Sequence, residues 1–358
     1  MGEISNTNKN GRFAAFRSLT PADRRRVVYD TLFNNAMYIV IAIAIVFIAI
    51  SVPEFLSLSS IINIISLTAA KLPIALGVGG AIILSGTDIS AGRVVGLTAC
   101  IAASLLQMTD YPKKMFPELP VMPFIIVLLA VLAVGAVVGL INGFFVAKFK
   151  LHPFIVTLST QLIVFGAVLM YLMIGNNNGQ TLSGLDSSYT DFVRGTLFKI
   201  NGVAVPKYVL YSAIITVVMW FIWNKTTFGK NMYAVGSNEE AANVSGVNVF
   251  KTIVLVFMLA GIMYAVTGFI EGARIASCSA NTGLNYEGDA IAACVIGGVS
   301  FVGGTGKISG VVTGVFLLQL IFVGLNFLSV SANMLYIIKG LIILIACAID
   351  MRKYLARK

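Results

Sequence analysis

Long apolar runs separated by short polar stretches make up the chain from about residue 32 onward. Crossing a bilayer core takes about 20 helical residues, and a chain in lipid must satisfy its backbone hydrogen bonds internally. The pattern therefore predicts an all-α polytopic membrane protein. Ten candidate spans follow from the apolar runs: 32–51, 61–85, 92–109, 123–147, 153–175, 207–224, 250–271, 289–302, 308–328 and 333–350. We expect Lys71 and Pro73 to break the second span, and the eighth is short and rich in glycine.

The composition supports this assignment and excludes several classes of function. The chain is 58% apolar and 11% charged, whereas a soluble domain carries about 25% charged residues. One histidine and four scattered cysteines do not have the spacing of a metal site. The segment that ends at Gly306-Lys307 fails as a phosphate-binding loop, because Phe301 and Ile308 occupy positions that need Gly and Ser or Thr. We therefore expect no enzyme and no ATPase site on this chain.

The basic residues predict the orientation in the membrane. Ten spans place both termini on one side, and most of the 25 Lys and Arg residues fall on that side. The positive-inside rule then makes both termini cytoplasmic. The sequence thus predicts basic cytoplasmic tails at 1–31 and 351–358 around one transmembrane domain at 32–350. The net charge of +10 reflects this orientation, since no basic soluble domain is present to bind nucleic acid.

A polar island, SNEEAANVSG at 237–246, interrupts the apolar pattern within the predicted cytoplasmic loop 225–249. Ser237 and Glu240 have the spacing of a capping box, and Gly246 stands where a helix would end in a left-handed residue. The spacing predicts a two-turn helix with both ends specified, which a proline at Glu240 should break. A helix capped so completely in a loop indicates a docking partner.

Two pairs of segments resemble each other within the chain. Residues 80–103 and 268–300 each contain an apolar run, a break with glycine and an acid, and a helix of small residues. Residues 138–165 and 312–343 share a glycine-containing span, a polar turn and a second span. By the predicted topology the two breaks face opposite sides, which is typical of the inverted repeats of transporters.

Polar residues in or beside spans are functional candidates, because burying them in lipid is costly. Asp88 and Arg93 can pair to fix the first break, or they can line a substrate path. Interior amides such as Gln319 suit either hydroxyl-rich ligands or contacts between helices, and Lys339 is expected to pair with an acid or carbonyl of another span. The candidates for a substrate path or gate are Asn63, Thr87, Asp88, Arg93 and Gln161.

A second polar group follows the seventh span on the predicted outer side. We expect its members either to meet a docking protein or an entering polar solute, or to be ordinary solvated charges. The candidates for contact with a binding protein are Glu271, Arg274, Glu287 and Asp289.

Three segments together carry a resemblance to a known family: GTDISAGR at 86–93, NKTTFGKNMYAVGSNEEAANVSGVNV at 224–249 and YEGDAIAACVIGGVSFVGGTG at 286–306. The chain from about residue 30 resembles the permease subunit of bacterial monosaccharide ABC importers. The Thr87-Asp88 pair and the SGVNV ending are most similar to the galactose/methyl-galactoside branch. The ribose and xylose branches are more distant.

The resemblance implies a permease of the bacterial inner membrane that carries a monosaccharide, galactose or methyl galactoside, through a homodimer. It implies a separate cytoplasmic sugar-type ATPase, which would hold ATP and Mg, a periplasmic sugar-binding protein, and no cofactor on this chain. It also implies that the polar island is the helix that couples to the ATPase. The matching residues are Ser237, Asn238, Glu239, Glu240, Ala241, Ala242, Ser245 and Gly246.

Other functions stay open at this point. A permease for ribose or another pentose fits the same motifs less closely. An ion-coupled secondary transporter would fit inverted repeats, but it needs an ionisable relay, and only Lys71 and Lys339 lie deep in spans. A channel or sensor would need a filter-like loop or a sizeable cytoplasmic domain, and the sequence has neither.

Overall fold

The computed structural model describes residues 36–355. The predicted tail at 1–31 therefore lies outside the described residues, while residues 351–355 of the predicted C-terminal tail belong to the last helix. The helices are α1 (Ala36–Ser51), α2 (Leu58–Ile83), α3 (Ala91–Leu105), α4 (Phe124–Phe149), α5 (Pro153–Leu172), α6 (Ser187–Arg194), α7 (Lys207–Lys225), α8 (Thr227–Ser237), α9 (Glu239–Val244), α10 (Val249–Ile275), α11 (Tyr286–Ile296), α12 (Ile308–Phe327) and α13 (Ala332–Leu355). The strands are β1 (Thr196–Ile200) and β2 (Val203–Pro206), and a short 3₁₀ turn covers Pro53–Leu56.

Six of these helices are long and apolar enough to cross a membrane: α2, α4, α5, α7, α10 and α12. α1, α3 and α13 hold shorter apolar stretches. α11 has 11 residues and is thus about 16 Å long, which is short of a bilayer core. The polytopic helical class is confirmed at this level, while the ten-span topology and the side of the termini stay predictions.

The expected break at Lys71 and Pro73 is wrong, because α2 runs through both residues as one helix. Proline has no amide hydrogen, so the carbonyl of Ala69, four residues earlier, loses its usual donor. Ser212 on α7 donates its hydroxyl to that carbonyl over 2.6 Å. A neighbouring helix thus supplies the missing hydrogen bond, which is how membrane helices tolerate proline.

The two halves of the chain pack on each other reciprocally. The central helices α2 and α10 are in contact. α3 and α4, from the first half, pack on α10, whereas α11 and α12, from the second half, pack on α2. This reciprocal packing of the two halves supports the predicted inverted repeats. Segment 84–90 joins α2 to α3, and segment 276–285 joins α10 to α11.

A ridge of glycines brings α4 against α10. Gly135, Gly139 and Gly143 are four residues apart and therefore lie on one face of α4. A Cβ atom at any of them would overlap the backbone of α10, at Gly261 and Phe257 among other positions. The helices are therefore in backbone contact, as in the small-xxx-small pairs of membrane proteins. The four-residue spacing of these glycines is visible in the sequence.

One end of the bundle is covered by interlocked loops. Leu182 and Cys278 exchange backbone hydrogen bonds of 2.7 and 2.9 Å, and the Met108 amide donates to the Gly184 carbonyl over 2.8 Å. The antiparallel hairpin β1–β2 follows at 196–206, so the all-α prediction misses a small sheet.

Cys278, in segment 276–285, is buried, and burial raises the pKa of its thiol well above the usual range.

Candidate functional site

The first break, segment 84–90, carries a buried carboxylate at Asp88, which is 1% exposed. The Ser90 amide donates to its Oδ1 atom over 3.0 Å and the Ser90 hydroxyl over 2.6 Å. The Tyr264 hydroxyl, on α10, donates to Oδ2 over 3.1 Å. Because a buried carboxylate is costly without donors, these bonds hold the break against the central helix.

The same network continues into two further helices. Asn142 on α4 donates from Nδ2 to the Ser90 hydroxyl over 3.1 Å. Thr160 on α5 donates to Asn142 Oδ1 over 2.6 Å. A chain of hydrogen bonds thus joins α5, α4, the break and α10, and each bond polarises the next. Both oxygens of the Asp88 carboxylate thus have hydrogen-bond partners.

The predicted pair between Asp88 and Arg93 is wrong, because the two side chains reach different neighbours. Arg93 donates to the carbonyl of Ala280 in the second break over 3.1 Å, and its guanidinium lies 4.1 Å from the centre of the Phe165 ring. Arg93 therefore connects the first turn of α3 to segment 276–285.

The first turns of α3 lie against the second break. A Cβ atom on Gly92 would overlap the Gly283 carbonyl and the Glu287 carboxylate, and one on Gly96 would overlap the Thr282 carbonyl. The first turns of α3 and α11 are therefore adjacent. Discontinuous helices that start near one another are a form that many transporters use to build a substrate site.

The remaining path candidates are spread around this region. The Thr87 carbonyl accepts a bond of 3.1 Å from Thr157, which holds the break to α5. Gln161 is half-buried on α5, and Asn63 is exposed on α2. The structure thus brings Thr87 together with Asp88 and leaves Asn63 apart from them.

In the second polar group, Glu271 lies in the interior, whereas Arg274, Glu287 and Asp289 are partly exposed. Glu271 is fully buried and pairs with Arg274, whose nitrogens lie 2.7 and 2.8 Å from Oε2. Its other oxygen, Oε1, has no hydrogen-bond partner among residues 36–355. The expectation that Glu271 contacts a binding protein is therefore wrong, because its side chain is shielded from any docking partner. Glu287 is half-buried against Gly92.

Two further cations belong to this interior cluster. Lys339 on α13 lies 2.9 Å from the Asp289 carboxylate on α11, which confirms that it pairs with an acid of another helix. The Lys71 ammonium lies 2.6 Å from the centre of the Tyr286 ring. Such cation–π contacts are attractive, and they strengthen where water is excluded.

The polar island forms α9, but its cap is not the predicted one. α8 continues through Ser237, whose hydroxyl donates to the Tyr233 carbonyl over 2.8 Å. Asn238 caps α9 instead, accepting the Ala241 amide over 2.8 Å. The capping box is thus wrong by one residue, because Ser237 is still helical. Gly246 has a φ of +85°, which confirms the left-handed stop.

The faces of α9 also differ from the expectation. Ala242 is 5% exposed and packs in an apolar cluster with Val235 and Phe257, so it is not available to a partner. Val244 is 90% exposed. The outward surface also includes Glu239, Glu240, Ala241 and Ser245. α9 therefore displays one apolar side chain beside two carboxylates.

A backbone junction ties α8 to the first break. The Gly304 amide donates to the Ile83 carbonyl over 2.8 Å, and the Ser85 hydroxyl donates to the carbonyls of Gly236 and Val302. A Cβ atom on Gly236 would overlap the Ile83 carbonyl. α8, which leads into α9, is therefore attached directly to the end of α2, where the break begins.

Comparison with known proteins gives a consistent result. Residues 60–347 match the family described as branched-chain amino acid transport system / permease component. The galactose/methyl galactoside import permease protein MglC of Haemophilus influenzae is 44% identical over 331 residues, covering 92% of this chain and 97% of the relative. MglC of Escherichia coli K12 is 46% identical over 327 residues, covering 91% and 96%. No solved structure matches the chain.

A ribose permease is also similar, at a lower level. The ribose import permease protein RbsC of Escherichia coli K12 is 32% identical over 338 residues, covering 93% of this chain and 98% of the relative. The similarity in all three cases extends over nearly the whole length of both chains.

Proposed function

Because the chain belongs to the branched-chain amino acid transport system permease component family, whose members are transport subunits and not enzymes, we propose that it imports galactose or methyl galactoside. The identity of 44–46% to MglC over more than nine-tenths of both chains carries this proposal. The ribose relative stands at 32%. The galactoside motifs in the sequence support the same choice.

The chain is proposed to act in the inner membrane as one of two copies that form a single pathway. A separate sugar-type ATPase binds ATP and Mg on the cytoplasmic side, and a periplasmic sugar-binding protein delivers the sugar. The lack of a phosphate-binding loop in the sequence agrees with an ATPase on another polypeptide. The six helices of spanning length agree with the membrane location.

The outward face of α9 is proposed to dock on the ATPase. Val244 supplies an exposed apolar contact, and the acids Glu239 and Glu240 attract basic residues of the partner. Motion of α9 reaches the interior by two routes. One is the backbone junction between Gly236 and Ile83, and the other is α10, which begins shortly after α9. Both routes end at the breaks, where the pathway is proposed to open and close.

Reconstitution tests the function directly. The permease is placed in proteoliposomes with its ATPase and sugar-binding protein, and uptake of labelled galactose and ribose is followed with and without ATP. We expect ATP-dependent galactose uptake that survives an uncoupler. Preferential uptake of ribose would overturn the sugar assignment. Collapse of uptake with the uncoupler would instead favour an ion-coupled transporter.

A further inference from the structure

Lys71 carries a positive charge in the middle of α2, a helix long and apolar enough to cross the membrane. Its ammonium lies 2.6 Å from the centre of the Tyr286 ring on α11. It forms no ion pair with a carboxylate in the described part of the chain. Ionisable side chains within membrane spans are rare and normally pair with another polar group. In this structure an aromatic ring takes the place that a carboxylate would normally hold.

Glu271 on α10 has the complementary deficit. The side chain is fully buried, and Arg274 lies 2.7 and 2.8 Å from its Oε2 atom. Its Oε1 atom has no hydrogen-bond partner among residues 36–355. Buried carboxylate oxygens normally accept hydrogen bonds, and an unpaired one is costly. One buried acceptor therefore stays open in this arrangement.

The lysine and the glutamate lie at nearly the same level of two antiparallel helices. Gly77 of α2 packs on Met263 of α10, and Gly80 packs on Val256, so the numbering of α10 falls as that of α2 rises. The lysine stands six residues before Gly77, and the glutamate stands eight residues after Met263. At the helical rise per residue, the two levels differ by about 3 Å.

Asp289 is the other acid close to Lys71, because both line one narrow cleft. Its two oxygens are already engaged by the Lys339 ammonium, over 2.9 and 3.0 Å. The charge of Glu271 also acts on Lys71 more strongly than that of Asp289 does. Glu271 is thus the carboxylate that Lys71 can join without displacing another cation.

We propose that Lys71 is a two-position switch, an inference that rests on the proposed transport function. Its ammonium lies on the Tyr286 ring in this structure, and it moves to the free oxygen of Glu271 when α11 shifts away from α2. The new ion pair offsets the lost ring contact, so the permease can populate both arrangements. Packed interfaces with two discrete arrangements are a common basis of conformational switching.

Cys294 on α11 reports whether α11 lies against α2. Its thiol is fully buried and donates to the Ala75 carbonyl on α2 over 3.2 Å. It stands just before Gly297, which lines an open pocket at the end of α11. Separation of the two helices should therefore expose the thiol to maleimide. The measurement is the labelling rate of Cys294 in the full-length permease in lipid nanodiscs, followed by peptide mass spectrometry.

The two positions of the ammonium predict opposite effects. Tyr286→Leu removes the ring, so the labelling rate should rise about threefold to tenfold, the value of a cation–π contact away from water. Glu271→Gln removes the charge at the second position and should lower the rate about tenfold, the value of a charge-assisted hydrogen bond. In a Lys71→Met background neither change should alter the rate, because no ammonium is left to move.

Two controls separate the switch from general loosening of the bundle. Tyr286→Phe keeps the ring and removes only the hydroxyl, so its labelling rate should equal that of the wild type. Phe322→Leu removes a different ring, which faces the Lys339 ammonium at 4.5 Å. Its effect on labelling should be the same with and without Lys71.

A wild-type rate in Tyr286→Leu or in Glu271→Gln, or a change in the opposite direction, would overturn the inference. Changes that persist without Lys71 would also overturn it, because loosened packing explains them. If Glu271→Gln does not fold, the comparison of Tyr286→Leu with and without Lys71 decides. Labelling needs no sugar, so failure of the proposed function shows separately, as absence of galactose uptake by the wild type.

Discussion

Ser212 donates its hydroxyl hydrogen to the carbonyl oxygen of Ala69 over 2.6 Å, at the point where Pro73 deprives that carbonyl of a backbone donor. Both residues are buried, so water cannot take the place of the hydroxyl. The bond connects α7 to the middle of α2, close to Lys71. A proline that reads as a break in the sequence is therefore compatible with a continuous helix.

This bond makes Ser212→Ala a destabilising variant. The Ala69 carbonyl would be left buried without a donor, at a cost of about 1–3 kcal/mol. Thermal unfolding of the purified permease should show a lower melting temperature. Pro73→Ala restores a backbone amide to the same carbonyl, so the double variant should lose less than the sum of the single changes. Additive losses would show that the two residues act independently.

We expect Gly236→Ala to reduce transport, while the individual helices still form. An added methyl group would overlap the Ile83 carbonyl and force the junction between α8 and α2 apart. Overpacking of this kind costs about 1–3 kcal/mol. The measurement is ATP-dependent uptake per folded importer. Gly166→Ala is the control, because its methyl group meets no atom within 4 Å, and equal losses in both variants would contradict the junction.

Val244→Asp should weaken binding of the ATPase and leave permease stability unchanged. Val244 is exposed, so the free permease loses no packing. Placing a charge in an apolar contact should lower affinity at least about tenfold, the effect of an unpaired polar group at an interface. Pull-down or surface-binding measurements with the purified ATPase provide the comparison. Ala242→Asp should behave differently and lower the melting temperature, because Ala242 is buried.

Native Cys278 should resist alkylation by maleimide in the folded protein at neutral pH. The thiol is buried, and burial raises its pKa well above the usual range, so the reactive thiolate is scarce until the pH rises much further. Peptide mass spectrometry identifies the labelled site. Unfolding in denaturant should restore labelling, and rapid modification of the native protein would contradict the buried placement.

The orientation can be checked with two introduced cysteines. Asn281 and Glu239 are both exposed, in segment 276–285 and in α9. Under the predicted topology a membrane-impermeant maleimide added to intact spheroplasts should label Asn281→Cys and spare Glu239→Cys. Lysis should make both accessible. The reverse pattern would invert the topology and remove α9 from the ATPase side.

The sequence predicts those features that depend on local chemistry. α5 begins at Pro153 as expected, because proline suits a first helical residue and the apolar run follows at once. Gly246 adopts the expected positive φ, which glycine adopts without strain. A proline at Glu240 should disturb α9 less than the sequence predicts. Glu240 lies in the first turn of α9, where backbone amides need no helical acceptor.

Features set by distant neighbours could not be read from the sequence. Asp88 has a nearby cation in Arg93, yet its partners include Tyr264, which is 176 residues away. Glu271 ends the predicted seventh span and was expected to meet a partner, but it lies within α10 and is fully buried. The spacing of apolar residues predicts where a helix forms. Whether a buried polar side chain finds a hydrogen-bond partner depends on which helices pack together.

The glycine ridge between α4 and α10 has a mechanical consequence. α10 has 27 residues and is therefore about 40 Å long. Backbone contact leaves few side chains between the two helices to absorb bending, so the pair behaves as one stiff rod. A tilt of about 5° applied near α9 would displace the far end by about 3.5 Å, given the helical rise per residue. A small rotation at one face of the membrane can thus open a gap as wide as a sugar hydroxyl at the other.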